Sequence, residues 1–525
     1  MSTKMSSSFH EEEPLGRAYD SRLMLRLLAY LKPYRAVVLG SVLVLLIASL
    51  LQLAGPFLTK IGIDKYIANK DWQGLNRVCL LFFGILLVEF LALFIQTYLI
   101  NWIGQKAMYD MRREVFAHIQ TLPVAFFDKN PVGRLVTRVT TDIESLHQML
   151  SSGVVAIFGD VFKLIGIVVV LLWFNWKLAL VTFSVLPVLF YITFLFKKKV
   201  REAYRLIRVR IARINAFLQE NITGMAVVQL FNREKKNFAQ FEKLNSNYLD
   251  AFIKTIFYYA LFYPAVNLVS AVAIALIVWY GGGQIIKGAL TFGALVAFIQ
   301  YAEMFFRPIM DLSEKYNIMQ SAMASSERIF GLLDKEPEPG WDKPGRHLTA
   351  VQGEIEFRHV WFAYNNEDWV LKDISFKVHP GEKVAFVGAT GAGKTTIMSL
   401  LLRFYDVNRG EILLDGVNIK AFDPRDLRRH FGMVLQDVFI FDGSVKRNIS
   451  LGNEAVTEQR IEQAARDVHA LQFIEKLPNG FDQEVQERGR SLSVGQRQLL
   501  AFARALAFDP AILILDEATS SVDTE

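Results

Sequence analysis

Six apolar stretches, at 36–58, 78–100, 154–174, 178–196, 256–280 and 289–306, constrain this chain more than any other feature. Each is close to the roughly 20 residues that a helix needs to cross a bilayer. In hydrocarbon every backbone N–H and C=O must be paired inside the protein, so continuous apolar runs of this length predict spanning helices. The third stretch carries Asp160 and Lys163 at helical spacing, where each could neutralise the other, and the sixth carries Glu303. Hydrophobic residues make up 52% of the 525-residue chain while 21% are charged, so the two classes must be segregated along it.

The charges set the orientation. Residues 197–254 contain thirteen Lys or Arg, whereas the loop 175–177 has only Lys177 and the loop 281–288 only Lys287. The excess of cations in cytoplasmic loops therefore puts both termini and the two long connections in the cytoplasm. The same bias accounts for the net charge of +6 and gives no reason to invoke nucleic acid. The connections have helix-compatible sequence almost throughout. Folded out and back, legs of about 25–30 residues at 1.5 Å rise reach roughly 40 Å beyond the bilayer. Their tips fall near 126–133 and 221–225, where Gly and Pro permit reversal.

Ahead of the first span, residues 1–20 read as a disordered polar tail, with an acidic run at Glu11 to Glu13 and no secretory signal. Residues 21–33 space leucines helically, with Arg22, Arg26 and Lys32 on other faces, as in a helix lying on the membrane surface; a buried amphipathic helix is the alternative. The single cysteine, Cys79, excludes a disulfide within the chain, and its apolar neighbours suggest a packed residue.

Composition changes after 21–330, the membrane domain. Residues 331–352, with Pro, Gly and charge concentrated at 334–345, read as a linker, and 353–525 alternates like a soluble α/β domain. Strands are expected at 355–360, 374–378, 384–387, 412–414 and 512–515, the last as a central buried strand. Between the third of these and a helical run lies GATGAGKT, residues 388–395. A strand that ends in a glycine-rich loop and feeds a helix points several backbone N–H groups at one anion, here the phosphates of a nucleotide. Gly388, Gly391 and Gly393 let the backbone approach. Lys394 would reach the β and γ phosphates and Thr395 would hold Mg²⁺, with Thr390, Ala392 and Thr396 completing the loop. Asp516 and Glu517, at the carboxyl end of the last strand, suit a second Mg²⁺ ligand and a residue that polarises water.

Together, the phosphate loop, Gln436, the run LSVGQ at 492–496, ILILDE at 512–517 and SVD at 521–523 resemble, in order and spacing, the nucleotide-binding domain of ATP-binding-cassette proteins. With six spans ahead of it, the chain is similar to an exporter-class half-transporter: a six-helix transmembrane domain with long cytoplasmic extensions, then an α/β P-loop cassette domain. The resemblance implies that Tyr364 stacks on adenine, with Phe362 or Trp361 as alternatives if the strand register differs. It further implies that Gln436 touches Mg²⁺ and the attacking water, and that Glu517 is the general base. Ser493, Gly495 and Gln496 would cap the γ-phosphate of ATP held by a second subunit, and Asp523 would cross the dimer interface. The tips near Phe127 and Gly224 would dock on the cassette domains. ATP and Mg²⁺ are the implied cofactors, and a multi-pass cell membrane protein exporting small hydrophobic compounds is the implied role.

Two departures stand out. Val494 occupies a position where the family usually has glycine, and Gln486 stands where a glycine commonly precedes Glu-Arg-Gly. This resembles heterodimeric bacterial exporters, so a second, different half-transporter is the expected partner, with Glu517 supplying the competent side. The sequence stops at Glu525, so the cassette is expected to be C-terminally incomplete, without the histidine region that contacts the γ-phosphate in the family. Within the spans, Glu89 and Glu303 are candidates for contacting cargo or protons, and the aromatics dense at 257–263 and 298–306 would suit bulky apolar or cationic cargo. A homodimeric lipid flippase is the nearest competing reading. An ATP-gated membrane switch is a further one, although a switch needs no general base.

Overall fold

The computed structural model describes residues 20–341, 345–348, 350–365 and 367–516. It separates into two compact units, one comprising the chain to Val115 together with Val136–Leu333, the other Phe116–Leu135 together with everything from Asp334 onward.

The first unit is helical. Asp20 belongs to it rather than to a tail, because its carboxylate caps helix α1 (Ser21–Ala29) by accepting from the Arg22 N–H at 2.8 Å. α1 packs one face inward and leaves another open. Leu27 is fully buried and Arg26 lies over the Phe330 ring at 4.3 Å, yet Leu25 remains 69% exposed. In chain order then come α2 (Arg35–Ile61), α3 (Trp72–Ile119), the short α4 (Val124–Lys129), which with the rest of 116–135 belongs to the second unit, α5 (Val132–Thr137) and α6 (Ile143–Gln148), α7 (Val155–Phe183), α8 (Leu186–Thr223), α9 (Met225–Leu230), α10 (Glu234–Ile286) and α11 (Phe292–Leu333). Single π-turns join α5 to α6 and α6 to α7.

Four of the six expected spans are helices long and apolar enough to cross a membrane: Lys32–Ile67, Trp72–Ile119, Val132–Phe183 and Glu234–Ile286. The apolar part of α11, Phe292–Phe306, is shorter. The fourth expected span is interrupted. Asn175 breaks helical geometry and its side chain accepts from the Leu178 N–H at 3.0 Å, which starts a new turn where a loop was expected. A second break follows at Ser184 and Val185, since Pro187 in the first turn of α8 has no N–H to continue the helix behind it. With 48 residues, α3 is about 70 Å long, far beyond a bilayer. Its apolar window is only 6% buried, and Leu80, Phe83 and Phe90 face outward, as lipid-facing side chains do. Cys79 sits on this face and is exposed, as are Leu80 and Leu81, so it is not the packed residue expected.

The inner face is close-packed. Ile167 and Leu171 from α7, Leu189 from α8, Phe262 and Ala273 from α10 and Phe298 and Tyr301 from α11 share one core, and Phe196 stacks on Phe262 at 3.8 Å. Tyr301 is fully buried and donates its hydroxyl to the Leu53 carbonyl at 2.5 Å. Both expected tips are reversals: α4 follows the turn at Gln120 to Pro123, and Gly224 ends α8 before α9.

Among its described residues the second unit carries three sheets. β1 (Ile355–Ala363), β2 (Trp369–Val378), β3 (Arg409–Leu414) and β4 (Val417–Asn418) form an antiparallel sheet in the order β2-β1-β3-β4. β5 (Phe431–Val434) pairs in parallel with β8 (Ile512–Leu515), and β6 (Gly443–Ser444) pairs antiparallel with β7 (Glu484–Val485). Two expectations fail here. Residues 384–387 form no strand, because they have no ladder partner among the described residues and Val387 is 91% exposed. β8 has one strand neighbour among those residues, and Leu513 and Leu515 are each 43% exposed, so it is not buried on both faces. The expected linker is also partly tied down. Glu338 is buried, pairs with Arg428 at 2.5 Å, and donates its N–H to the Thr121 carbonyl at 2.8 Å.

Candidate nucleotide site

The glycine loop closes as its sequence requires. Gly391 and Gly393 adopt φ of 88° and 90°, the left-handed region that side chains disfavour, and Gly393 starts the helix Lys394–Leu401. A Cβ on Gly393 would fall 2.6 Å from Leu371 Cδ2, whereas one on Gly391 would meet nothing within 4 Å. Lys394 folds back to donate to the Gly388 carbonyl at 2.6 Å. Thr390 and Ala392 lie in the exposed turn, while Thr396 is buried in the first helical turn.

Two oxygen donors converge on this loop. Thr395 donates its hydroxyl to the Asp516 carboxylate at 3.1 Å, and Asp516 is only 9% exposed. The parallel register pairs Val434 with Leu515, so Asp516 and Gln436 leave the carboxyl ends of adjacent strands on the same edge. A hard, oxygen-seeking cation such as Mg²⁺ fits this donor set. Glu517 and Asp523 lie outside the described residues.

Of the three aromatics, Tyr364 meets the loop. Its hydroxyl lies 3.1 Å from Thr396 Oγ1 and it is 39% exposed. Phe362 is buried in the core, and Trp361 packs edge-on against Trp369.

The run at 492–496 forms the start of the helix Val494–Ala507 with a reciprocal cap. Ser493 Oγ accepts from the Gln496 N–H at 3.2 Å and Gln496 Oε1 accepts from the Ser493 N–H at 2.9 Å. Gly495 lies in the first turn, and Val494 is 52% exposed beside it. Arg497 donates to the Gly489 and Leu492 carbonyls, tying the Glu-Arg-Gly turn to this helix start.

Sequence reasoning missed Tyr405. It packs edge-on against Tyr364 with ring centroids 5.0 Å apart and donates its hydroxyl to Asp128 on α4. Burial first, then the Asp128 carboxylate, pushes this hydroxyl well above the usual tyrosine range, so it remains a donor at neutral pH. The available signal was an aromatic pair, Phe404 and Tyr405, directly after the phosphate-loop helix.

Comparison with known proteins decides the family. Residues 38–309, more than half the chain, match the ABC transporter transmembrane region, and residues 371–520 match the ABC transporter family. The chain belongs to the ABC transporters. The transporter is 36% identical over 460 residues to a probable multidrug resistance ABC transporter ATP-binding/permease protein of Bacillus subtilis, covering 87% of this chain and 68% of that one. It is 35% identical over 500 residues to an ATP-dependent lipid A-core flippase of Syntrophus aciditrophicus, covering 95% and 83%. A solved bacterial Atm1-family ABC exporter with ATP bound aligns with a TM-score of 0.77 at 29% identity, covering 93% of this chain and 86% of that one. The transporter is thus a multi-pass membrane protein of the exporter class that binds ATP and couples its hydrolysis to transport, and such exporters work as dimers.

Proposed function

We propose that this transporter exports hydrophobic compounds or drugs from the cell as one half of a heterodimer, alternating between inward- and outward-facing states as the two cassettes close and open. The observation that carries the ATP-driven part is the Thr395 hydroxyl on the Asp516 carboxylate beside two left-handed glycines. In this reading the loop residues Gly388 to Thr396 cradle the phosphates and Tyr364 stacks on adenine. Thr395, Asp516 and Gln436 hold Mg²⁺, which neutralises charge on the phosphates when bound. Glu517 takes a proton from the attacking water that Gln436 orients. Ser493, Gly495, Gln496 and Asp523 serve the composite site formed with the second subunit.

The multidrug relative supports the substrate class, and the exposed Val494 supports the heterodimer, since a β-branched side chain adds bulk where the partner's ATP would approach. The lipid A-core flippase relative favours the competing reading of a homodimeric flippase. ATP hydrolysis by the full-length protein in lipid vesicles, alone and with a half-transporter encoded beside it, separates them. Activity only with the neighbour is expected. Full activity alone, abolished by Glu517→Gln, would reject the heterodimer. ATP binding without hydrolysis in either state would reject export in favour of a membrane switch.

The aromatics near the spans do not form a single lining. Phe262, Phe298, Tyr301 and Phe306 are buried in the helical core, whereas Phe257 and Tyr263 are exposed. Glu89 is half-buried and Glu303 exposed, and Asp160 pairs across helices with Lys315 of α11. A contact of either glutamate with cargo remains part of the proposal.

A further inference from the structure

Tyr204 on α8 and Phe252, Ile256, Tyr259, Tyr263 and Pro264 on α10 line a cavity of about 350 Å³. That size lies within the roughly 300–1,000 Å³ of ligand sites. The groove is open to the outside, with Ile256 55% and Tyr263 49% exposed. Its walls are held by the core stack of Phe196 on Phe262 at one end and by Phe217 on Phe241, 6.4 Å apart, further along the helix pair.

Polar features sit at defined places in this apolar groove. Pro264 has no N–H, so it removes the helical donor of the Ala260 carbonyl, and Ala260 also lines the cavity. The Tyr204 and Tyr259 hydroxyls lie 3.4 Å apart. The surrounding charge is one-sided: residues 197–213 hold eight cations and one acid, Glu202. Arg201 and Arg208 stand three residues before and four after Tyr204, hence on its face of α8. Both are exposed, and neither makes an ion pair among the described residues.

The groove straddles the edge of the hydrocarbon. On α8 the apolar sequence ends at Phe196 and Lys197 follows; on α10 it begins at Ile256, just after Lys254. One end of the cavity therefore meets acyl chains while the other meets headgroups on the cytoplasmic side. We propose that this groove is a binding site for an anionic phospholipid of the cytoplasmic leaflet, with an acyl chain against the aromatic wall and the phosphate at Arg201 and Arg208. A cationic hydrophobic compound would be repelled by the surrounding cations, and a zwitterionic lipid would gain the apolar wall without the net attraction. The site uses none of the nucleotide residues and holds whatever the exported cargo is.

The test uses the full-length protein in phosphatidylcholine vesicles doped with either phosphatidylglycerol or phosphatidylcholine bearing a photoreactive acyl chain, with labelled peptides mapped by mass spectrometry. Phosphatidylglycerol should label 252–264 several-fold above phosphatidylcholine. R201Q combined with R208Q should cut that labelling by about fivefold or more, since a cation near an anionic surface contributes about 1 kcal/mol. A260F should fill the groove and abolish labelling there while leaving the lipid-facing stretch 80–94 labelled, which shows that the protein is folded and in the bilayer. Equal labelling by both lipids, or labelling that persists in A260F, would overturn the proposal. So would protection of 252–264 in assembled dimers alone, which would make the groove an interface between subunits.

Discussion

Gly393→Ala isolates what the phosphate loop needs from glycine. Two penalties act at this position. The left-handed backbone at φ 90° costs a residue with a side chain roughly 1–2 kcal/mol. The new methyl would also sit 2.6 Å from Leu371 Cδ2, and Leu371 is only 2% exposed, so its side chain cannot swing into solvent. Overpacking of this kind costs about 1–3 kcal/mol. The loop is exposed and the helix behind it is well packed, so the chain can escape by rearranging the loop, and the loss falls on nucleotide affinity. At tenfold per 1.4 kcal/mol, a combined penalty of about 2–5 kcal/mol weakens ATP binding by roughly one and a half to three and a half orders of magnitude. Gly391→Ala is the internal control. Its φ of 88° is nearly the same, but a methyl there meets nothing within 4 Å, so only the backbone penalty of roughly 1–2 kcal/mol applies. Binding of a fluorescent ATP analogue to the purified protein, with thermal unfolding recorded alongside, gives both numbers. Leu371→Ala added to Gly393→Ala should return the steric part, measured against Leu371→Ala alone. Equal losses in the two glycine variants, or no recovery in the double variant, would refute the reasoning.

Tyr405→Phe removes the hydroxyl that Asp128 accepts but keeps the ring beside Tyr364, so ATP affinity should hold within about twofold while the docking of 116–135 weakens by about 0.5–1.5 kcal/mol; faster amide exchange in that segment checks it. Asp423 caps the helix Pro424–Arg429, and its carboxyl is held at about 2 by hydrogen bonds from Arg425, chiefly the side chain, against an opposing push from burial. Because the folded value lies below the ordinary one, its stabilisation is present above pH about 4 and fades as pH falls towards 2. Asp423→Ala should therefore cost about 1–2 kcal/mol at neutral pH and flatten that acid limb in a pH series of thermal melts. Arg328→Leu leaves the buried Asp142 carboxylate without its two-pronged partner, with the Ser325 hydroxyl as a remaining donor at 2.9 Å; a loss of about 1–3 kcal/mol is expected in detergent melts, less with Asp142→Asn added.

The residues that local chemistry dictates were legible in the sequence. A run of apolar side chains can satisfy its backbone in lipid only as a helix, and the loop 388–395 can hold phosphates only with glycine at its left-handed positions, so both follow from composition and spacing. Features that depend on a distant partner were not legible. Residues 384–387 have the side chains of a strand, but a strand exists only where another supplies the ladder. Cys79 has apolar neighbours in either a core or a lipid face, and sequence does not tell which. Asp160 looked self-neutralising with Lys163 because helical spacing is visible in sequence, whereas Lys315 lies on another helix. The Pro- and Gly-rich stretch after Leu333 has the composition of a flexible connection, yet the Glu338 carboxylate is anchored by an arginine ninety positions later.

Tyr405 shows why such partners matter for function. The segment 116–135 is continuous with α3, a single helix from Trp72 to Ile119, yet it packs with the ATP-binding unit. Its contacts there include the Tyr405 hydroxyl on Asp128 and the Glu338 N–H on the Thr121 carbonyl at 2.8 Å, with Glu338 itself clamped by Arg428. Tyr405 in turn touches Tyr364, whose hydroxyl contacts Thr396 in the phosphate loop. A nucleotide base that displaced Tyr364 from Thr396 would therefore press on Tyr405. The Glu338 attachment abuts the same stretch, since the Arg428 guanidinium that clamps Glu338 lies over the Phe404 ring at 4.8 Å. Of these attachments, the one through Tyr405 meets Tyr364 directly, so it is the shorter route from the phosphate loop to the segment.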